Sequence, residues 1–358
     1  MPQFHPLKIS ALRRDTRDAV LITFEIPVTL APEFVYQPGQ HLTLRVHIDG
    51  EEVRRSYSIC SAVQDDELRI AIKKVTDGVF STWATRSLEV GGVIDVMPPT
   101  GNFHVPFDVT SQRHYLAVAA GSGITPIFSI IKSTLLAEPQ STFTLVYGNR
   151  ASSTVMLRDD IANLKDQFLN RLSVIHVMSR EKQDIDLFNG RIDSEKFSQL
   201  ADQWISLVDV DHAFICGPQT MMIQVSERLK SFGMPSDHVH MELFGVAGAQ
   251  TTRKRSVGEL VSADVCEVTV IVDGNHQRFT MHRDQQSVLD AGLEQGIDLR
   301  YACKGGICAS CRCKLIEGQV DMDANYALED YEVARGFVLS CQAFPTTDKL
   351  VLDFDQDS

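Results

Sequence analysis

The stretch "YACKGGICASCRCKLIEG", residues 301–318, sets four cysteines within eleven residues, and a fifth, Cys341, follows in "FVLSCQAFP". Thiols this crowded form disulfides, bind zinc or cage an iron–sulfur cluster, and each choice dictates a different chain around them. The spacing is Cys303-x4-Cys308-x2-Cys311, with Cys341 beyond twenty-nine intervening residues. C-x4-C-x2-C…C is the plant-type [2Fe–2S] spacing. Three thiolates on one loop must wrap two irons, so the backbone needs glycine where it curls, and Gly305 and Gly306 stand there. Small Ala309 and Ser310 let backbone N–H groups approach the sulfurs, and Cys341 closes the other iron. Cys313 alternates away from Cys311 on the outgoing strand and is read as a non-ligand, while Cys60 and Cys266 read as plain buried thiols. The zinc reading expects paired C-x2-C knuckles, and only one such pair exists.

The disulfide reading needs an oxidising compartment. The start "MPQFHPLKIS" lacks the basic and apolar regions of a signal peptide, and no apolar run approaches a membrane span. A cytoplasmic protein with reduced thiols is therefore expected. The net charge of −13 argues against nucleic acid as a partner. "TTRKRS" at 251–256 reads as a solvated tether, and "HVH" at 238–240 alternates like a strand.

A chain of 358 residues exceeds one ordinary core, and its rhythm changes twice. Residues 1–108 hold short β-branched runs, "HLTLRVHI", "RSYSICSA" and "ELRIAIKKV", parted by turn signals, which predicts an antiparallel β-barrel or sandwich. Residues 109–245 alternate strands such as "HYLAVAA", "TFTLVYG", "LSVIHVMS" and "HAFICG" with helices such as "PIFSIIKSTLLA" and "QTMMIQVSERLKSFG", which predicts a doubly wound α/β sheet. Residues 246–264 are small and polar, as in a linker. From 265 to 358 a hairpin turning at Asp273-Gly274 and a short helix lead into the cysteines.

Three further motifs are weak singly. "AAGSGITP" ends a strand and opens a helix; Gly121 and Gly123 permit close backbone approach, Thr125 is placed to cap and Pro126 suits the first turn. A pyrophosphate suits such a helix N-terminus, yet the full dinucleotide fingerprint is absent and a tight turn explains the motif equally. In "RRSYSIC", Arg55 offers a phosphate fork, Tyr57 a stacking ring and Ser58 a hydroxyl, although an ordinary barrel strand reads the same way. "DGVFSTWA" resembles a second phosphate loop through Gly78, Val79 and Ser81, or is a turn.

Barrel, α/β domain and cluster loop, in this order and with these motifs, resemble the ferredoxin–NADP reductase superfamily with a fused, C-terminal β-grasp ferredoxin domain. The resemblance covers essentially the whole chain, and it looks closest to reductases serving a multicomponent oxygenase that acts on an aromatic acyl-CoA ring. It implies FAD at Arg55, Tyr57 and Ser58, with Gly78, Val79 and Ser81 at its pyrophosphate; FMN serves some relatives. It implies the nicotinamide dinucleotide at Gly121, Ser122, Gly123 and Thr125, with Cys216 and Gly217 beside the nicotinamide, and Glu242 and Phe244 covering the flavin. Ser179 and Arg180 match the pair that holds the 2′-phosphate of NADPH. Cys303, Cys308, Cys311 and Cys341 would ligate the [2Fe–2S] cluster. The implied activity is electron transfer from NADPH through FAD and cluster to an oxygenase. The alternatives are another ring-hydroxylating or cluster-bearing client and, from a different class, a zinc-binding interaction module. Residues 265–358 carry sixteen acidic against eight basic side chains, concentrated in "DMDANYALEDYE", so an acidic docking rim or an ordinary solubilising surface is expected.

Overall fold

The computed structural model describes residues 4–244, 265–328 and 330–356; the expected linker, 246–264, lies outside them. One compact unit comprises residues 5–53 and 57–244, and the strands from Val265 onward belong to a second.

The first unit opens with β1 (His5–Thr16), β2 (Ala19–Glu25), β3 (His41–Ile48), β4 (Glu51–Ser58), β5 (Leu68–Lys73), the helix α1 (Val79–Ser87) and β6 (Val93–Val96). Their order across the sheet is β4-β3-β6-β1-β2-β5. Ile59, just past β4, bridges Ile70 on β5 and brings the two edges together. Along β1, Leu7 and Ile9 are buried while Lys8 and Ser10 are exposed, the period of two that faces one side of a strand inward. Leu7, Ile9, Ile22, Leu42, Leu44 and Ile72 fill the interior.

The same unit continues with β7 (His114–Ala120), α2 (Ile124–Ala137), β8 (Thr142–Asn149), α3 (Arg158–Gln167), β9 (Leu172–Met178), α4 (Ser194–Trp204), β10 (Val210–Gly217), α5 (Gln219–Ser231) and β11 (Val239–Leu243). The strands are parallel in the order β11-β10-β7-β8-β9. Tyr115 through Ala119 of β7 are all buried, as in a sheet covered on both faces. Ala19, Leu21, Cys60 and Ala71 share a core with Ile127, Phe128 and Phe214, so the two sheets pack through common side chains. "HVH" does lead into a strand, β11. The helix α4 carries no counterpart in the sequence reading; Asp193 caps it by accepting from Lys196 N at 2.8 Å, and it buries only Phe197, Leu200 and Ala201.

The second unit holds β12 (Val265–Val272), β13 (Asn275–His282), α6 (Val288–Glu294), β14 (Arg312–Glu317), β15 (Val320–Met322), α7 (Asp330–Ala334), β16 (Phe337–Leu339), β17 (Ala343–Pro345) and β18 (Lys349–Asp353). The hairpin turns through Asp273 and Gly274, both at positive φ (51° and 71°), the geometry a two-residue hairpin loop requires. β12 pairs antiparallel with β13 and parallel with β18, and α6 packs over the mixed sheet, a β-grasp arrangement. Among the described residues, no helix is long and apolar enough to cross a membrane.

Candidate functional site

The cysteine loop occupies residues 303–311, between α6 and β14. Lys304, Gly306 and Ala309 all take positive φ (52°, 73° and 52°), which curls the chain tightly. Gly306 has a second reason to be glycine: a Cβ there would lie 2.7 Å from the Ala324 carbonyl oxygen. The curl aims backbone N–H groups at sulfur. Gly305 N donates to Cys303 Sγ at 3.3 Å, and Cys303 N to Cys308 Sγ at 3.4 Å. A contact from the Cys308 thiol, together with the amides of Gly305, Ile307 and Cys308, pulls the Cys303 pKa down to about 5 against the effect of burial. Cys311 makes the equivalent contact with Cys341, and that contact plus burial pushes Cys311 well up. The sulfurs thus fall into two pairs, 303 with 308 and 311 with 341. A binuclear cluster asks for two protein thiolates on each iron, whereas a structural zinc asks for four ligands around one point. The donors and the surrounding amides fit a [2Fe–2S] cluster. Cys313 is fully buried in the β-grasp core with its thiol toward the Val338 carbonyl.

The loop read as a phosphate motif at 77–84 is mostly helix: α1 starts at Val79, and Gly78 precedes it with no side-chain cap. The first N–H groups of the helix are therefore available to an anion. A cavity of about 830 Å³ opens there, lined by Lys74, Thr76, Gly78, Val79, Trp83 and Arg86 among others. Three carboxylates, Asp18, Asp49 and Asp77, line the same cavity as the two cations, so it is the uncapped first amides of α1, with Lys74 and Arg86 beside them, that offer a phosphate its place, and Trp83 an aromatic face. Ser81 differs from expectation. It is 5% exposed, and its hydroxyl accepts from Val75 N at 3.0 Å and donates to Gly78 O, so it shapes the loop from within. Tyr57 and Ser58 lie at the end of β4, with the Tyr57 ring 5.4 Å from that of Phe80. Arg55, on the same strand, is exposed and donates to the Arg54 carbonyl.

At the C-terminal edge of the parallel sheet, the chain leaves β7 and β10 in opposite directions, the switch point at which such sheets bind ligands. Gly121, Ser122 and Gly123 form one 3-10 turn before α2. Thr125 does not cap the helix as the sequence suggested; its hydroxyl donates back to the Ser122 carbonyl at 3.0 Å, because the 3-10 turn has already absorbed the helix start. Gly123 lies directly against the Cys216–Gly217 backbone. Cys216 is fully buried, and burial, then the nearby Glu242, pushes its thiol well up. Ser58 donates to Glu242 Oε2 at 3.2 Å, and burial raises the Glu242 carboxyl to about 8. Phe244 packs against the shared core.

Ser179 and Arg180 follow β9, held by backbone bonds to Asn149 and Arg150. Arg180 is exposed, and its neighbour Glu181 accepts from Ser152 N and Oγ, both at 2.8 Å, which pulls that carboxyl down. Two basic residues here, Lys73 and Arg150, escaped the sequence reading as site candidates. Lys73 ends β5 close to Gly121, and burial, then Arg150, lowers its pKa. The signal was the doubled lysine that follows the apolar run Ile70-Ala71-Ile72 in "RIAIKK".

The fold and sites define a flavin- and iron–sulfur-dependent oxidoreductase fed by a nicotinamide dinucleotide. The oxidoreductase FAD-binding domain model matches residues 6–105, the oxidoreductase NAD-binding domain 117–227 and the 2Fe-2S iron-sulfur cluster binding domain 270–346. The chain is 46% identical over 355 residues to one subunit of the 1,2-phenylacetyl-CoA epoxidase of Escherichia coli, covering 99% of each. It is 33% identical over 353 residues to the ferredoxin reductase component of 3-ketosteroid-9-alpha-monooxygenase from Rhodococcus rhodochrous, covering 97% and 96%. Phthalate dioxygenase reductase shares the fold at a TM-score of 0.59 over 98% of both chains, with 24% identity. The chain belongs to the family of reductase components of multicomponent oxygenases that includes the first two relatives, and its cofactors are FAD, a nicotinamide dinucleotide and a [2Fe–2S] cluster.

Proposed function

We propose that this chain is the NADPH-dependent reductase of a phenylacetyl-CoA ring epoxidase in aerobic phenylacetate catabolism, acting in the cytoplasm. The similarity along 99% of the chain to one component of that epoxidase carries the choice of client. A flavin takes up a hydride and releases electrons one at a time, which lets a two-electron donor feed a one-electron cluster. The protein's part is to bind and orient. Residues 1–108 form the FAD domain, 109–245 the nucleotide domain and 265–358 the ferredoxin domain. The first amides of α1 from Val79, beside Gly78 and with Lys74 and Arg86, hold the FAD pyrophosphate; Ser81 keeps that loop in shape, and Arg55 adds a phosphate contact. Tyr57 and Ser58 meet the isoalloxazine, with Phe244 as its cover. Gly121, Ser122, Gly123 and Thr125 form the nicotinamide-side floor, Lys73 and Arg150 offset the dinucleotide's pyrophosphate charge, and Cys216 and Gly217 border the hydride position. Ser179 and Arg180 take the 2′-phosphate, for which an arginine fork is a bidentate partner. Cys303 and Cys308 ligate one iron, Cys311 and Cys341 the other.

Acidic residues in 321–332 steer the oxygenase; Glu332 does not take part, because it is 5% exposed and pairs with Arg312 at 2.9 Å, so its charge is neutralised inside the fold. The test is NADPH consumption coupled to epoxide formation with the purified epoxidase components, beside an anaerobic NADPH titration followed by visible absorbance and electron paramagnetic resonance. Coupled turnover with that epoxidase and not with a ring-hydroxylating dioxygenase supports the client. Turnover only with another oxygenase refutes it.

A further inference from the structure

A hydroxyl buried in an apolar core costs stability unless it finds a partner, and phenylalanine would fill the space of a tyrosine without that cost. Tyr147 of β8 is nonetheless fully buried, in one core with Ile124, Ile127, Phe143 and Leu157. Its hydroxyl has one proton to give and stands near two carbonyls. Gly121 O lies at 2.9 Å and Met156 O at 3.4 Å, so the proton goes to Gly121. The strand register permits this reach: Tyr147 lies beside Ala119 of β7, two residues before Gly121. Burial pushes the phenol pKa well up, so the hydroxyl stays a donor near neutral pH.

Gly121 O already accepts from Ile124 N, which closes the 3-10 turn, so the turn forms without the tyrosine. What the hydroxyl adds is direction. Gly121 carries no side chain and sits at φ +56°, and glycine leaves the peptide that follows it loosely held. In a trans peptide the N–H points opposite to the preceding C=O. With Gly121 O held toward Tyr147, the Ser122 N–H is turned away from it. The first N–H groups of such a turn have no partner within it. Thr125 fixes the next peptide in the same way, through Ser122 O. We propose that Tyr147 is a positioning residue for hydride transfer: it fixes the Gly121–Ser122 peptide so that the Ser122 N–H meets an acceptor on the nicotinamide half of the dinucleotide. The inference rests on the nucleotide placement proposed above. Being fully buried, Tyr147 touches no dinucleotide and acts only through the turn. Its leverage is geometric, because a misplacement of about 1 Å at the reacting atoms costs about 100-fold in rate.

The experiment is rapid anaerobic mixing of the holoenzyme with NADPH, following flavin reduction and the charge-transfer band between nicotinamide and flavin. Tyr147→Phe should slow flavin reduction by NADPH at least about tenfold and weaken the charge-transfer band. It should raise the dissociation constant for NADPH about 3- to 10-fold, the range of one lost hydrogen bond. Flavin content, reduction by dithionite and flavin-to-cluster transfer should match the wild type, since none of them uses the turn. Thr125→Val should act in the same direction, and Thr125→Ser, which keeps the hydroxyl, should restore the rate. The double variant Tyr147→Phe/Thr125→Val should lose less than the product of the single effects, because both act on one turn. Wild-type hydride transfer and affinity in Tyr147→Phe would overturn the inference. So would a Tyr147→Phe variant that loses flavin or reacts as slowly with dithionite, because the hydroxyl would then only support the core. Gly123→Ala separates this inference from the nucleotide placement. If that variant binds NADPH as the wild type does, the dinucleotide lies elsewhere and both readings fall. If it binds weakly while Tyr147→Phe changes nothing, the tyrosine reading falls alone.

Discussion

Gly121 and Gly123 belong to one turn, yet the structure gives them different reasons to lack a side chain. A Cβ on Gly123 would fall 2.1 Å from the Cys216 carbonyl oxygen, 2.5 Å from its carbon and 3.0 Å from Gly217 N. These are backbone atoms of β10, a strand hydrogen-bonded on both sides, so no rotamer can yield. Ordinary C···O contacts lie at about 3.3 Å, so the start of α2 must withdraw by about 1 Å. Overpacking of this kind costs typically about 1–3 kcal/mol, and Gly123→Ala belongs at the top of that range. The backbone itself is blameless: φ at Gly123 is −59°, which alanine favours. Gly121 is the reverse. Its Cβ would meet only Lys73 Nζ, at 3.5 Å, but its φ is +56°. Gly121→Ala should cost about 1–2 kcal/mol for the left-handed backbone, and asparagine, which visits that region readily, should recover part of the loss.

Asparagine therefore separates the two causes: Gly121→Asn should be more stable than Gly121→Ala, and Gly123→Asn less stable than Gly123→Ala. Denaturant midpoints of the holoenzyme, read from flavin fluorescence released as its domain opens, provide the comparison. A midpoint is the right quantity because a multidomain chain does not unfold in one step. The apparent affinity for NADPH should fall most in the Gly123 variants, since the same withdrawal opens the nucleotide floor. If Gly123→Ala keeps the wild-type midpoint, or if asparagine rescues at 123, the close-approach argument fails.

Three other outcomes follow from the sites. Cys308→Ser should abolish the rhombic cluster signal in electron paramagnetic resonance and leave flavin content intact, while Cys313→Ala should retain the signal and lose some stability. Arg180→Ala should raise the Michaelis constant for NADPH about 10- to 100-fold, the value of one charge-assisted hydrogen bond, and leave that for NADH nearly unchanged; equal effects on both would remove Arg180 from the 2′-phosphate. Glu242→Gln should stabilise the protein at neutral pH. As pH rises from 4.5 toward 8, the unfolded carboxyl ionises and the folded one does not, so wild-type stability falls across that window and levels off above it. With 15% of the side chain still exposed, the gain at about pH 7.5 should be about 1–3 kcal/mol and should vanish at about pH 4, as paired denaturation curves would show.

What the sequence revealed and what it hid divide along a physical line. The cluster loop was legible because its constraint is local: thiolate spacing and curl-permitting glycines are written side by side between 303 and 311. The antiparallel and the parallel sheets were legible because periods of 2 and 3.6 report which face of each element is buried. The helix over Ser194–Trp204 slipped by because it buries a single narrow stripe. Thr125 was read as a helix cap and Ser81 as a donor in a phosphate loop, yet the Thr125 hydroxyl donates back to the Ser122 carbonyl and the Ser81 hydroxyl bonds Val75 N and the Gly78 carbonyl, a choice made by the 3-10 turn at 121–123 and by the close pairing of Val75 with Gly78. Hardest to read was the group around Glu242. Its members come from positions 41, 58 and 242, three segments that only the closing of a barrel against a parallel sheet brings together. A histidine opening one strand carries no pattern of its own. Only the folded chain brings the Ser58 hydroxyl to the Glu242 carboxyl at 3.2 Å and sets the His41 imidazole 4.0 Å from it.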